Sequence, residues 1–238
     1  MARLLLLSNS TNHGRGYLDH AMPAIRELLG PVGRLLFVPF ALHDRAAYTA
    51  KARARFATEG IEVEELGTDA AGRRALEQAA ALFVGGGNTF RLLRTLQEER
   101  LLEPLGDRAR GGMPYLGASA GINVACPTIR TTNDMPIVEP RGFDALSLVP
   151  FQINPHYLDA DPGLSHMGET REDRIREFLE ENDVPVLGLR EGAWLRIDGT
   201  RGSVEGAASA RVFRRGRPPE ERAPGSPIDD LLASGRPA

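Results

Sequence analysis

Short, uninterrupted runs of apolar residues recur along the first half of the chain, at residues 4–7, 35–38, 81–84 and 113–117. Runs of this length are typical of strands buried on both faces of a parallel sheet. Segments with helical character separate them, at residues 17–29, 44–58, 73–80, 88–99 and 101–110. Strands that alternate with helices predict an α/β fold, with a doubly wound, mostly parallel sheet flanked by helices.

The remaining patterns extend this plan. A strand with alternating apolar residues is predicted at 61–66, and a charged helix at 169–181. The apolar region at 143–151, which ends at residues 152–156, predicts a further strand, and so does the apolar run at 185–189. Short antiparallel strands are predicted at 194–197, at Val204 and at 212–213. Proline, glycine and arginine dominate from Arg215 onwards. We therefore expect one α/β domain over residues 1–214 and a loose tail over 215–238.

Composition narrows the class of protein. A chain of 238 residues can form one sizeable domain. Its net charge of −3 gives no reason to expect a nucleic acid partner. The single cysteine, Cys126, excludes an internal disulfide and any cysteine-based metal cluster. We expect Cys126 to be a small core residue on the helix that follows residue 119. No apolar run approaches the roughly 20 residues of a membrane span, so a cytoplasmic protein is expected.

The strand predicted at 113–117 leads into a serine between small residues. The sequence Gly117-Ala118-Ser119-Ala120-Gly121 matches the G-x-S-x-G pattern, in which a strand turns sharply into a helix with the serine at the apex. Small residues leave room for the turn, and glycine tolerates strained dihedral angles. The pattern fits a catalytic serine, and it also fits a strand–turn–helix connection with a buried serine.

Three glycines, residues 85–87, follow the strand predicted at 81–84, and a helix begins at Asn88 or Thr89. A glycine run between strand and helix can direct backbone N–H groups at an anion. The run lacks the spacing of a dinucleotide site and a P-loop lysine, so it gives little support to a nucleotide site and fits a tight turn or, beside Ser119, an oxyanion hole. Both segments follow strands, so both are expected at the carboxyl edge of the sheet.

A serine nucleophile needs a base and a group that orients the base. Of the five histidines, only His156 directly follows an apolar strand region. The acid is open between two arrangements. The order of α/β hydrolases would place it at Asp134 or Asp144. The alternative is Glu191, which follows the buried strand at 185–189 and would reach the same sheet edge.

Two polar segments could border such a site. Residues 127–136 are bracketed by prolines and have no regular period, which fits a wall of the site and equally a solvated loop. Residues 157–168 also lack periodicity and are predicted to be a loop.

Several of these segments together resemble the peptidase E family. They are residues 85–89, the elbow at 117–123, the sequence CPTIRTTNDMPIVEP at 126–140, and residues 152–156, 168–171 and 191–192. The resemblance extends from about Arg3 to Ile197. It implies a serine peptidase, related to cyanophycinases, with a fold similar to class I glutamine amidotransferase domains. It also implies hydrolysis of dipeptides with N-terminal aspartate, without a metal or organic cofactor.

The resemblance assigns roles to residues. It makes Ser119 the nucleophile, His156 the base and Glu191 the orienting acid. The N–H groups of Gly87 and Ala120 are then expected to form the oxyanion hole. Expected substrate-binding residues are Arg171 for the aspartyl side chain, with Arg130 as second candidate, Asp134 for the free amino group, and Asn88.

Alternative functions remain open beside this one. They are a cyanophycinase-like or broader small-peptide hydrolase with the same triad, and a non-catalytic module that binds an anion or nucleotide at residues 85–88. The expected partner is a small peptide substrate, with no nucleic acid and no membrane, and a homodimer is compatible with the sequence.

Overall fold

The computed structural model describes residues 1–160 and 168–233. The strands are β1 Arg3–Leu7, β2 Arg34–Val38, β3 Glu62–Glu65, β4 Leu82–Val84, β5 Tyr115–Ala118, β6 Gln152–Pro155, β7 Val186–Leu189, β8 Ala193–Asp198, β9 Arg201–Gly206, β10 Ala210–Phe213 and β11 Glu220–Arg222. The helices are α1 Met22–Leu29, α2 Arg45–Ala57, α3 Ala70–Gln78, α4 Thr89–Glu98, α5 Leu102–Arg110, α6 Ala120–Asn123, α7 Arg171–Glu181 and α8 Asp229–Ala233.

Seven strands form the large sheet, in the order β3-β2-β4-β5-β1-β8-β9. The first five run parallel, whereas β8 and β9 are antiparallel to their neighbours. Leu4 and Leu6 of β1 pack into the core on one face, and Leu5 and Leu7 pack into the core on the other. This two-sided burial explains why the strand is uniformly apolar. The predicted α/β fold with a mostly parallel sheet is confirmed.

A smaller sheet carries part of the candidate site. Its order is β11-β10-β7-β6, with β6 parallel to β7 and β10 antiparallel to β7. The prediction of a strand region at 143–151 is wrong, because the strand begins at Gln152. Residues 143–151 instead form irregular structure, in which an isolated bridge joins Asp144 to Thr128. We expected the strands before His156 and Glu191 to join the large sheet, but they pair with each other in this second sheet.

The segment after Arg215 contains regular structure within the described residues 215–233. Strand β11 pairs with β10, and Ile228 and Leu231 are completely buried in the main core. The prediction of a loose tail is therefore wrong for residues 215–233. Composition indicated a loop, but two apolar side chains are enough to anchor a strand and a helical turn.

Two further predictions concern the helix after Ser119 and the loop at 157–168. The helix after Ser119 is only four residues long, so Cys126 lies beyond it, although it is completely buried as expected. Residues 161–167 of the loop predicted at 157–168 lie outside the described residues, as does His166. Within the described part of the chain, no helix is both long and apolar enough to cross a membrane.

Candidate active site

Ser119 stands at the sharp turn between β5 and α6. Its backbone has φ 50° and ψ −107°, a conformation that L-residues rarely adopt, and its N–H donates to the Leu7 carbonyl at 3.0 Å. Gly121 permits the turn, because a Cβ there would collide with the Val84 carbonyl oxygen. The Tyr115 hydroxyl donates to the Gly121 carbonyl at 2.6 Å and fixes the start of the helix. The strained turn holds the serine hydroxyl in place at the sheet edge.

His156 and Glu191 reach Ser119 from the second sheet. His156 follows β6 directly and has φ 53°, and Glu191 lies in the turn after β7. His156 Nε2 lies 3.0 Å from Ser119 Oγ, and His156 Nδ1 lies 2.6 Å from Glu191 Oε1. The imidazole thus touches the serine with one nitrogen and the carboxylate with the other. This geometry lets the ring accept the serine proton while the carboxylate fixes its orientation.

Two buried polar residues after β1 join the sheets at this point, and the sequence analysis missed both. The Ser8 hydroxyl donates to the Leu189 carbonyl at 2.7 Å and accepts from the His156 N–H at 2.9 Å. Asn9 Oδ1 accepts from the Gly192 N–H at 2.9 Å. They therefore position the backbone on which His156 and Glu191 stand. Their signal was available, since they directly follow a central strand at the carboxyl edge of the sheet.

The glycine loop after β4 lies against the serine. A Cβ on Gly86 would approach Ser119 Cβ to 3.1 Å. Gly87 has φ 133°, and its N–H has no acceptor among the described residues. Ala120 is the first residue of α6, so no carbonyl of that helix can accept its N–H. The N–H groups of Gly87, in the loop that packs against Ser119, and of Ala120, which follows Ser119, thus have no acceptor within residues 1–160 and 168–233.

The structure places Asp134 away from the imidazole. Its Oδ2 accepts from the Thr89 N–H at 2.8 Å, from the Thr89 hydroxyl at 2.5 Å and from the Thr132 hydroxyl at 3.1 Å. Asn123 of α6 joins this network by donating to the Thr89 hydroxyl at 3.1 Å. Asp144, the other alternative acid, is exposed. Of the three candidates, only Glu191 contacts His156.

Arg171 is the first residue of α7, and its charge is electrostatically coupled to Asp134. Partial burial lowers the pKa of its guanidinium, the neighbouring charge of Arg174 lowers it further, and Asp134 opposes both. Within the described residues the guanidinium forms no hydrogen bond or ion pair. A half-buried arginine with no partner among the described residues is suited to bind a carboxylate from outside the chain.

The other two predicted substrate contacts are placed differently. Asn88 caps α4, because its Oδ1 accepts from the Arg91 N–H at 3.0 Å, and its Nδ2 donates to the Met135 carbonyl at 2.9 Å. Arg130 is exposed and stacks on Phe143, with its guanidinium carbon 4.9 Å from the ring centroid. Both polar atoms of the Asn88 side chain thus have protein partners already.

The charged groups of the site do not form a metal centre. In residues 1–160 and 168–233, no three side chains of His, Cys, Asp or Glu are grouped so that they could hold a metal ion. A serine, an imidazole and a carboxylate in hydrogen-bonded order, beside free N–H groups, constitute the arrangement of a serine hydrolase.

Comparison with known proteins agrees with this class. The model of Peptidase family S51 matches residues 4–204, and the chain belongs to this family. Peptidase E of Streptomyces coelicolor is 58% identical over 229 residues, which cover 96% of this chain and 94% of the relative. The probable alpha-aspartyl dipeptidase of Drosophila melanogaster is 48% identical over 232 residues, covering 96% and 97%. The expected class, a serine-type dipeptidase, is thereby confirmed at the level of the family.

Solved structures share the fold. A putative peptidase E from Listeria monocytogenes EGD-e superposes with a TM-score of 0.67 at 23% identity, covering 87% of this chain and all of that one. A peptidase from an acI-B1 actinobacterium gives a TM-score of 0.71 at 17% identity, with 96% of both chains covered.

Proposed function

We propose that the protein hydrolyses dipeptides with an N-terminal aspartate, and that Ser119, His156 and Glu191 perform the reaction. The observation that carries the proposal is the continuous contact from Ser119 Oγ through the His156 ring to Glu191. The name of the Drosophila relative, an alpha-aspartyl dipeptidase, supports the substrate class.

The chemistry follows from this contact. His156 Nε2 takes the proton of Ser119 as Oγ attacks the aspartyl carbonyl carbon, and Glu191 stabilises the charged imidazole. The N–H groups of Gly87 and Ala120 stabilise the oxyanion. The carbon–nitrogen bond then breaks, and His156 returns the proton to the leaving amine. Water attacks the aspartyl ester with His156 again as base, which releases aspartate and restores the Ser119 hydroxyl.

The substrate's charges suggest how it is oriented. The fork of donors on Arg171 suits the side-chain carboxylate of an N-terminal aspartate. Asp134 suits the free ammonium group, since Oδ2 accepts all three of its hydrogen bonds and Oδ1 accepts none from the described residues. The coupling between Arg171 and Asp134 supports their action on one small zwitterionic ligand. Arg130 is the second candidate for the side-chain carboxylate, and Asn88 is a further candidate for substrate binding.

The proposal is tested by comparing hydrolysis of Asp-Leu, Ala-Leu and Leu-Leu by the wild type, by Arg171→Ala and by Arg176→Ala. Arg176 is the matched control, because it lies on the same helix and pairs with Glu172 on the surface. We expect a preference for Asp-Leu that Arg171→Ala abolishes through a KM at least tenfold higher, while Arg176→Ala stays within twofold. Equal rates on the three dipeptides would exclude aspartyl specificity and favour the broader hydrolase.

The substrate and the cellular compartment of the enzyme belong to the same proposal. A small peptide is the partner it requires, and the single buried thiol fits the cytoplasm, where thiols stay reduced. The non-catalytic alternative predicts that Ser119→Ala leaves function intact, whereas the proposal predicts loss of turnover.

A further inference from the structure

The four consecutive backbone N–H groups of residues 85–88 do not share one direction. Those of Gly85 and Asn88 donate to main-chain carbonyls at the end of β2 and just beyond it, at 3.1 Å and 2.9 Å. The N–H of Gly86 donates to the hydroxyl of Tyr48 at 2.8 Å. Only the N–H of Gly87 has no acceptor in the part of the chain that the structure describes. Within the described residues, the loop therefore leaves one N–H without a partner and satisfies the other three.

Tyr48 is the side chain in this arrangement that sequence motifs did not indicate. It lies on α2 and is 6% exposed, with its ring edge-on to Phe37 at a centroid distance of 5.0 Å. A Cβ at Gly85 would approach the Tyr48 hydroxyl to 2.6 Å, so glycine is needed there for the tyrosine to reach the loop. The Tyr17 hydroxyl donates to the same Tyr48 hydroxyl at 3.4 Å.

The Tyr48 hydroxyl acts on the backbone that packs against Ser119. Gly86 is packed against Ser119, and Gly86 and Gly87 share a peptide unit with few steric restraints. The Gly86 N–H belongs to the peptide unit of residues 85–86, which leads directly into the unit that carries the Gly87 N–H. By accepting from Gly86, the Tyr48 hydroxyl holds the first unit in its plane, because rotation of that unit would leave a half-buried N–H without a partner and would carry the following unit with it.

We propose that Tyr48 is a positioning residue for the oxyanion hole: its hydroxyl binds the Gly86 N–H and thereby aims the Gly87 N–H at the oxyanion formed on Ser119. The inference rests on the proposed function. Tyr48 lies on α2 and does not touch the substrate, so its hydroxyl affects the transition state rather than substrate binding.

The test compares Tyr48→Phe with Tyr17→Phe. Each variant removes one hydroxyl oxygen from the same edge-to-face pair of rings, but only the first removes the acceptor of Gly86. Loss of an oxyanion donor costs a factor of about 10²–10³ in rate, and a misaimed donor is lost in part. We expect kcat for Asp-Leu to fall about 10–100-fold in Tyr48→Phe with KM within threefold, while Tyr17→Phe stays within twofold.

A second measurement separates positioning from folding. An aldehyde analogue of aspartate, which forms a tetrahedral adduct with a serine, should bind Tyr48→Phe at least tenfold more weakly. Asp-Leu should bind with the same affinity to Ser119→Ala and to the Ser119→Ala/Tyr48→Phe double variant. Thermal unfolding of Tyr48→Phe should remain within about 5 °C of the wild type.

The outcomes distinguish this inference from the proposed function. A Tyr48→Phe variant with kcat within twofold of wild type, or one that loses no more than Tyr17→Phe, would overturn the inference while Ser119→Ala is inactive. A melting temperature more than 10 °C lower would overturn it too, because the hydroxyl would then be needed for the fold. Turnover by Ser119→Ala, in contrast, would overturn the proposed function itself.

Discussion

Replacement of Glu191 by glutamine tests which acid completes the site. The variant keeps the shape of the side chain but removes the charge that lies 2.6 Å from His156 Nδ1. A hydrogen bond to a charged group contributes about 1.5–3 kcal/mol. At 1.36 kcal/mol per factor of ten, its loss in the transition state corresponds to a decrease in kcat of about 10–160-fold.

The exposure of the pair sets this range. In a fully buried triad, the change from acid to amide costs about 10⁴ in kcat. Here the side chains of His156 and Glu191 are 39% and 55% exposed, so water screens the imidazolium and replaces part of the lost interaction. We therefore expect a smaller loss than in a buried triad, with KM for Asp-Leu nearly unchanged.

The assay is steady-state hydrolysis of Asp-Leu by Glu191→Gln and, for comparison, by Asp134→Asn. Asp134 is held by Thr89 and Thr132 and is proposed to bind the substrate's ammonium group, so its amide variant should raise KM more than it lowers kcat. Circular dichroism checks that both variants are folded. If Asp134→Asn lowers kcat without raising KM, and Glu191→Gln retains more than half of wild-type kcat, the assignment of the acid is wrong.

Three further predictions concern the surroundings of the site. Gly121→Ala should lower the melting temperature and kcat together, since its Cβ would overlap the Val84 carbonyl oxygen and overpacking costs about 1–3 kcal/mol; unchanged values would contradict the close approach. The Arg190 guanidinium holds the pKa of Glu221 below its usual value, so the stabilisation exists above the unfolded value near 4.5 and is lost as the pH falls through the folded pKa. Glu221→Gln should thus lower the melting temperature by about 1–3 °C at pH 7 and by less at pH 2.5, and an equal difference at both would contradict the pairing. Burial raises the pKa of the Cys126 thiol to about 12, so iodoacetamide at pH 8 should leave it unmodified in the native protein and alkylate it in urea; rapid native labelling would contradict its burial.

Local patterns were sufficient for the parallel strands of the large sheet and for two segments that follow them, the glycine loop and the turn at Ser119. The apolar run of β1 and the glycine loop at residues 85–87 have clear physical causes, in two-sided burial and in close backbone approach. Ser119 could be identified as a candidate because its turn tolerates only small neighbours. These features depend on a few consecutive residues, so they can be read without knowledge of the tertiary structure.

The rest depended on pairing between distant segments. His156 and Glu191 meet because β6 pairs with β7 in a second sheet and because Ser8, almost 150 positions before His156, joins the two sheets. No local pattern encodes those contacts. The resemblance to a family favoured Glu191, the candidate that contacts His156, where spacing alone left Asp134, Asp144 and Glu191 open.

The same reason explains the error in the tail. Strand β11 has the sequence Glu-Glu-Arg and lacks an apolar pattern, yet it is held by pairing with β10 and by ion pairs. Glu221 binds Arg190, and Arg190 also binds Asp159 with two hydrogen bonds. The C-terminal segment is thereby connected to the residue that precedes Glu191, which composition could not reveal.

Covalent labelling tests directly whether Ser119 is the nucleophile. The protein is inactivated with diisopropyl fluorophosphate, digested, and the adduct is mapped by mass spectrometry. The account predicts one phosphoryl adduct on Ser119, at a stoichiometry that matches the loss of Asp-Leu hydrolysis, and no adduct in Ser119→Ala. Inactivation with the adduct on another residue, or full activity of a protein labelled at Ser119, would contradict the account.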